Sequence, residues 1–182
     1  MRVRTTRQTG RRMLATGSLV LASLTLGPVS TRAAPPTVIA TCLSSQLYAD
    51  TASSQGATQS TYYMLLFTNH GHSACTLSGI PSAQPVVGPR NSPVGPTAGR
   101  SRRARRGETV ILTWRGAHRQ ANVYFSSDVV SELCRPRLTA DGVVVSFSPA
   151  LRFFLPTKYF QVCASRVTTS IDGVAPGTTG SI

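Results

Sequence analysis

His70, His72 and Cys75 lie within residues 68–81, which read TNHGHSACTLSGIP. Two histidines one residue apart share a strand face, and imidazole with thiolate is a ligand set for zinc or copper. A cysteine beside a histidine can also be an activated nucleophile. A third reading is a turn pinned by a disulfide. We favour the pinned turn, because the histidines sit among turn-forming residues and a cystine sulfur is neither a thiolate ligand nor a nucleophile. No metal and no cofactor is therefore expected; a metal-binding or hydrolytic protein using His70 and His72 is the lesser alternative.

Other catalytic chemistry has little to draw on. The chain holds 3 His and 6 acidic residues. It has no Gly-x-Ser-x-Gly, His-Glu-x-x-His or Ser-x-x-Lys run to mark a hydrolase. Asp50, Glu108, Asp128, Glu132, Asp141 and Asp172 could supply a carboxylate pair for glycoside cleavage, yet most adjoin turns, the usual place of solvated acids. No Gly-rich phosphate loop follows a strand and opens a helix. A non-enzymatic protein with no catalytic residues is the expectation.

One electrostatic feature is strong. Arg100, Arg102, Arg103, Arg105 and Arg106 form a dense run, with only Glu108 nearby to offset it. Such a run attracts polyanions by counterion release and is salt-sensitive. It lacks the interleaved aromatics that stack bases, so no specific nucleic acid is expected. Anionic cell-envelope polymers are the candidate partners. The alternative is a purely structural secreted domain whose arginines only keep it soluble.

The compartment follows from the N-terminus. Residues 1–33 read as an export signal: a basic stretch with Arg2, Arg4, Arg7, Arg11 and Arg12, an apolar run over 13–26, the breakers Gly27 and Pro28, and cleavage after Ala33. The signal carries 6 of the 19 basic residues and no acid, so a formal charge of +13 becomes +7 in the mature chain. The apolar run is shorter than the roughly 20 residues of a membrane-spanning helix, so the mature form is expected to have no transmembrane segment and to be secreted or wall-associated. The Arg11-Arg12 pair faintly resembles a twin-arginine signal. Residues 39–42, IATC, have the shape of a lipobox, but Thr41, Pro35 and Pro36 argue against lipidation of Cys42. Four cysteines in an exported chain suggest two disulfides, and three connectivities remain open.

The elements that must position these residues are strands. Val110 and Leu112, then Ala121, Val123 and Phe125, then Val143, Val145 and Phe147 recur with period two. Residues 151–156 and 161–171 add further strands. Gly71, Gly79, Pro81, Gly116, Asp141-Gly142, Pro149 and Pro156 separate the runs as turns. Short strands at this spacing predict an all-β, immunoglobulin-like antiparallel β-sandwich. Residues 60–69 are apolar on both pleat faces and should be buried on both, Tyr62 and Tyr63 included. Trp114 continues the phase of Val110 and Leu112 and should be core. Residues 85–108 are rich in Pro, Gly and Arg and should form a long exposed loop with a short edge strand near Val94. Residues 127–134 could make one helical turn. The expected organisation is a linker over 34–41, a domain over 42–172 and a flexible tail over 173–182.

Several runs resemble a known family: TCLSSQL, LLFTNHGHSACTLSGIPSAQ, VILTWRGAHRQANVYF, ELCRPRLTADGVVVSFSP and FQVCASRV. They are similar to the actinobacterial domain of unknown function 4232. Its most specific element is Phe67-Thr68-Asn69 followed by Cys75, Leu77, Gly79 and Pro81. Ile80 stands where the family favours an aromatic residue, and Arg115-Gly116 stands in place of Pro-Gly. The resemblance implies a secreted or lipid-anchored β-sandwich with sequential disulfides, Cys42–Cys75 and Cys134–Cys163. It implies no known activity. Within that frame Asn69 and Gly71 should take the positive φ of a hairpin turn. Leu77 should be core.

Overall fold

Ala121, Val123 and Phe125 are fully buried on one face of their strand; on the other face Tyr124 and Ser126 are half-buried, and Asn122 is covered with its Nδ2 bonded to the Pro176 carbonyl. The computed structural model describes residues 38–57, 60–101, 107–128 and 134–177. A 3-10 turn at Ser44–Gln46 leads into β1 (Leu47–Ala57), β2 (Ser60–Asn69), β3 (Cys75–Ser78) and β4 (Ser82–Val87). Next come β5 (Ser92–Pro93), β6 (Gly99–Arg100), β7 (Thr109–Leu112) and β8 (Gln120–Asp128). The chain closes with β9 (Arg137–Ser148), β10 (Leu151–Cys163), β11 (Thr169–Ile171) and β12 (Ala175–Pro176). No α-helix occurs among the described residues. None of their helices is long and apolar enough to cross a membrane.

The fold is all-β, as the alternation predicts. One sheet runs β1-β2-β8-β11-β6, with β12 also paired to β8; a second runs β10-β9-β4-β5; β3 and β7 form a small third sheet. Strand pairing is antiparallel except between β6 and β11. Leu65 and Phe67 of β2, Val123 of β8, Val145 of β9 and Leu155 of β10 share one core cluster, so the two larger sheets are held face to face by the side chains between them. Phe67 meets Phe147 and Phe153 edge-on, at 5.1 and 5.4 Å between ring centroids. Tyr63, Phe125 and Phe160 form a second aromatic cluster. Burial there pushes the Tyr63 phenol pKa up, because the charged form loses its water.

Several details differ from expectation. β2 buries one face only: Tyr63, Leu65 and Phe67 are inside, whereas Met64 and Leu66 are half-buried and Tyr62 is exposed. Asp141-Gly142 is not a turn but lies within the long strand β9. A Cβ at Gly142 would collide with the Phe154 ring, so the glycine is required by close packing on the neighbouring strand. Pro156 likewise lies inside β10, where the pairing with β9 shifts register between Pro156 and Phe160. The irregularity accommodates a residue that lacks an N–H to donate.

Residues 85–108 are not one exposed loop. Val86 is buried, Val94 and Ala98 pack on the core, and the segment contributes the end of β4 and all of β5 and β6. The tail is ordered further than expected, since Val174 is buried and β12 pairs with β8 through Ala175 and Pro176. Residues 129–133 of the expected helical turn lie outside the described residues, as does the export signal.

Candidate functional site

Asn69 ends β2 with its side chain fully buried. Its Nδ2 donates to the carbonyls of Ser73 and Leu112 at 2.9 and 3.0 Å, and its Oδ1 accepts from the Gly71 N–H at 2.8 Å. The Asn69 carbonyl accepts from both Nε and Nη2 of Arg119. One amide thus bonds three backbone groups, two within its own turn and one on β7. This corrects the expected positive φ at Asn69 and Gly71: neither residue adopts it, whereas Gly79 and Gly116 do. The turn is organised by a buried side chain rather than by a left-handed backbone.

Cys42 is bonded to Cys75, and Cys134 to Cys163, the sequential arrangement. No cysteine is free. The first cystine ties β3 to the entry of the domain, where the Cys42 N–H also donates to the Thr76 carbonyl. His70 and His72 are both exposed on the turn, and the His70 ring meets Tyr48 edge-on at 5.8 Å. With Cys75 in a cystine, the His70–His72–Cys75 ligand set is not available. Among the described residues no three His, Cys, Asp or Glu side chains gather as a metal site would need.

Trp114 is 39% exposed, contrary to the core position expected from its phase. β7 ends at Leu112, so the alternation has stopped before Trp114 is reached. Its ring instead carries the Arg115 guanidinium at 3.9 Å from the centroid, a cation–π contact at the surface.

Of the arginine run, Arg100 is exposed on β6, the last strand in the order of its sheet. The Ser101 N–H donates to the Ile171 carbonyl, which fixes the backbone just before the rest of the run. Arg102, Arg103, Arg105 and Arg106 lie outside the described residues. After the run, Gly107 lies so close to Gly79 that an added Cβ would collide with its backbone. The Glu108 N–H then bonds the Val174 carbonyl, and the Val174 N–H bonds the Gly79 carbonyl. Both feet of the run are therefore hydrogen-bonded to the sheet framework.

Three of the described acids accept a hydrogen bond. Asp50 accepts from the Thr51 N–H, Asp128 from the Ser60 hydroxyl and Asp141 from the Gly88 N–H. Asp172 is half-buried directly after β11, Glu108 is exposed, and Glu132 lies outside the described residues.

A further surface escaped the sequence reading. On the outer face of the β10-β9-β4-β5 sheet, a hollow of about 370 Å³ is lined by Arg90, Val144, Arg152 and Phe154. A neighbouring hollow of about 520 Å³ is lined by Ile80, Ser82, Ser146 and Arg152. Val144 pairs with Gln84 on one side and Phe154 on the other, in phase opposite to core Val143 and Val145. That opposite phase is the signal the sequence carries for this face.

Residues 42–170 match the family described as Domain of unknown function (DUF4232). The chain belongs to this family. The DUF4232 match encloses both disulfides, the buried Asn69 and the arginine run, and it stops just short of the end of β11. No curated protein and no solved structure matches the chain.

Proposed function

We propose that this DUF4232 domain is a non-enzymatic, exported or envelope-associated module that contacts anionic polymers of the cell envelope through Arg100, Arg102, Arg103, Arg105 and Arg106. The observation that carries the reading is the seating of this run: it leaves from an exposed arginine on an edge strand and returns at a Gly107 packed against Gly79. A dense cationic segment on fixed feet needs less ordering on binding than a free tail of the same charge. Two disulfides suit an oxidising compartment, in keeping with the signal-like residues 1–33. The local hydrogen bonds of Asp50, Asp128 and Asp141 give those acids structural work, which supports a surface role over catalysis.

The test compares the mature chain from Ala34 with a variant carrying all five arginines as Ala. Both are checked for fold and oxidation, then mixed with washed envelopes of the source cells at about 0.15 M salt. Wild type is expected to sediment with the envelopes and the variant to stay in solution. Equal sedimentation would refute the contact and leave a purely structural domain.

A further inference from the structure

The two hollows on the outer face of the β10-β9-β4-β5 sheet adjoin at Arg152, which lines both. The register explains the continuity. Gln84, Val144 and Phe154 form one cross-strand row, and Ser82, Ser146 and Arg152 form the next. Arg90, exposed after β4, lines the first hollow, and Ile80 lines the second. Among the described residues no acidic side chain lines either one. The floor is apolar where Phe154 stands 43% exposed beside Val144, and cationic at Arg90 and Arg152.

Part of this surface has an internal explanation. Phe154 covers Gly142, as an aromatic side chain commonly does over a strand glycine. Packing over Gly142 does not account for two arginines flanking that ring with no acid to offset them. The Gln84 amide is already engaged, donating to the Pro85 and Gly95 carbonyls and accepting from Thr97, so it is part of the scaffold. The charged groups lining the trough, Arg90 and Arg152, are both cationic, beside the neutral Asn91, Ser82, Ser146 and Ser148, and this sets the sign of what it can hold.

The trough also points towards the arginine run. Ile80 lines its far end, and Ile80 follows Gly79, against which Gly107 is packed. A chain lying across Arg90, Phe154, Arg152 and Ile80 would therefore reach the foot where the run rejoins the domain.

We propose that this trough holds one stretch of an anionic polymer whose repeating unit is a sugar or polyol bearing a phosphate. Arg90 and Arg152 take the phosphate oxygens as charge-assisted donors. Phe154 and Val144 take the carbon skeleton between phosphates, as an apolar floor with a few placed polar groups does in other binding clefts. The inference rests on the polyanion reading of the arginine run and adds to it the class of repeat and a second subsite.

The experiment titrates the mature, oxidised protein with a poly(glycerol phosphate) oligomer, and with inorganic polyphosphate of equal charge as the probe without a carbon skeleton. Three variants are compared with wild type: Arg90→Ala with Arg152→Ala, Phe154→Leu, and the five-arginine loop variant. The double arginine variant is expected to bind poly(glycerol phosphate) at least about tenfold more weakly, the size expected for losing charge-assisted contacts. Phe154→Leu should weaken that polymer several-fold while leaving polyphosphate unchanged. Amide shifts of Val144 and Ser146 on adding the polymer to wild type give a readout that does not depend on any variant folding. If trough variants bind as wild type and those amides stay still while the loop variant loses binding, the trough inference is overturned and the loop reading stands. If wild type binds neither polymer, both are overturned. If Phe154→Leu weakens both probes equally, the assignment of a sugar or polyol skeleton is overturned.

Discussion

Phe67→Ala is expected to destabilise the domain by about 3–5 kcal/mol, the range seen for large aromatic truncations in a packed core. Phe67 is fully buried near the C-terminal end of β2 and meets Phe147 of β9 and Phe153 of β10 edge-on. It therefore spans the gap between the two larger sheets, and its removal leaves a void that neither sheet can close alone. Against a typical domain stability of about 5–15 kcal/mol, the loss is a large fraction. Urea unfolding should show a lower midpoint with an unchanged slope. Tyr62→Ala is the matched control: it lies on the same strand but is 42% exposed, and should cost less than about 1 kcal/mol. Equal effects of the two variants would mean that β2 does not turn one face to a shared core.

Removing the Cys42–Cys75 cystine as a double Ala variant should cost ~4 kcal/mol in the loop-entropy description, given a sequence separation of 33 residues. The Cys134–Cys163 cystine, with a separation of 29, should be worth nearly the same. Double replacement by Ala avoids leaving a lone thiol in a buried site, since all four cysteines are buried. The check is chemical as well as thermodynamic. Unfolded, unreduced protein should yield no titratable thiol, and reduced protein should yield all four. Reduction should lower the urea midpoint by more than either double variant alone. A thiol signal before reduction would contradict the paired state, and an unchanged midpoint would contradict its stabilising role.

Legibility followed local chemistry. The inward phase of Ala121, Val123 and Phe125, and of Val143 and Val145, was readable because each residue's face depends only on its neighbours along the strand. Leu77 proved as buried as its place between Cys75 and Gly79 suggested. What failed depended on where strands end and what lies across the sheet. Extending the period past Leu112 places Trp114 in the core, but the strand stops at Leu112. Gly142 and Pro156 read as turns because those residue types usually punctuate, yet the neighbouring strand uses Gly142 for close packing and a register shift admits Pro156. Asn69 looked like a turn former because its residue type often is one. Its actual role requires the carbonyls of Ser73 and Leu112, and Leu112 is 43 residues away in the chain. Val174 gave almost no signal in its small, flexible-looking surroundings and is nonetheless buried. The candidate site divided the same way. The arginine run is a compositional feature and was visible at once, whereas Arg90 and Arg152 are brought to one trough only by the sheet.

The measurement that tests the polyanion contact most directly is the salt dependence of binding to a purified anionic envelope polymer. The logarithm of the binding constant is plotted against the logarithm of salt concentration for wild type and for the five-arginine variant. Counterion release gives a slope of about 0.7–0.9 per neutralised phosphate on nucleic acids, so engagement of the whole run predicts that the variant's slope is shallower, by up to about 4 for a polymer of that charge density. Binding by both proteins with the same slope would contradict the claim that these arginines make the contact.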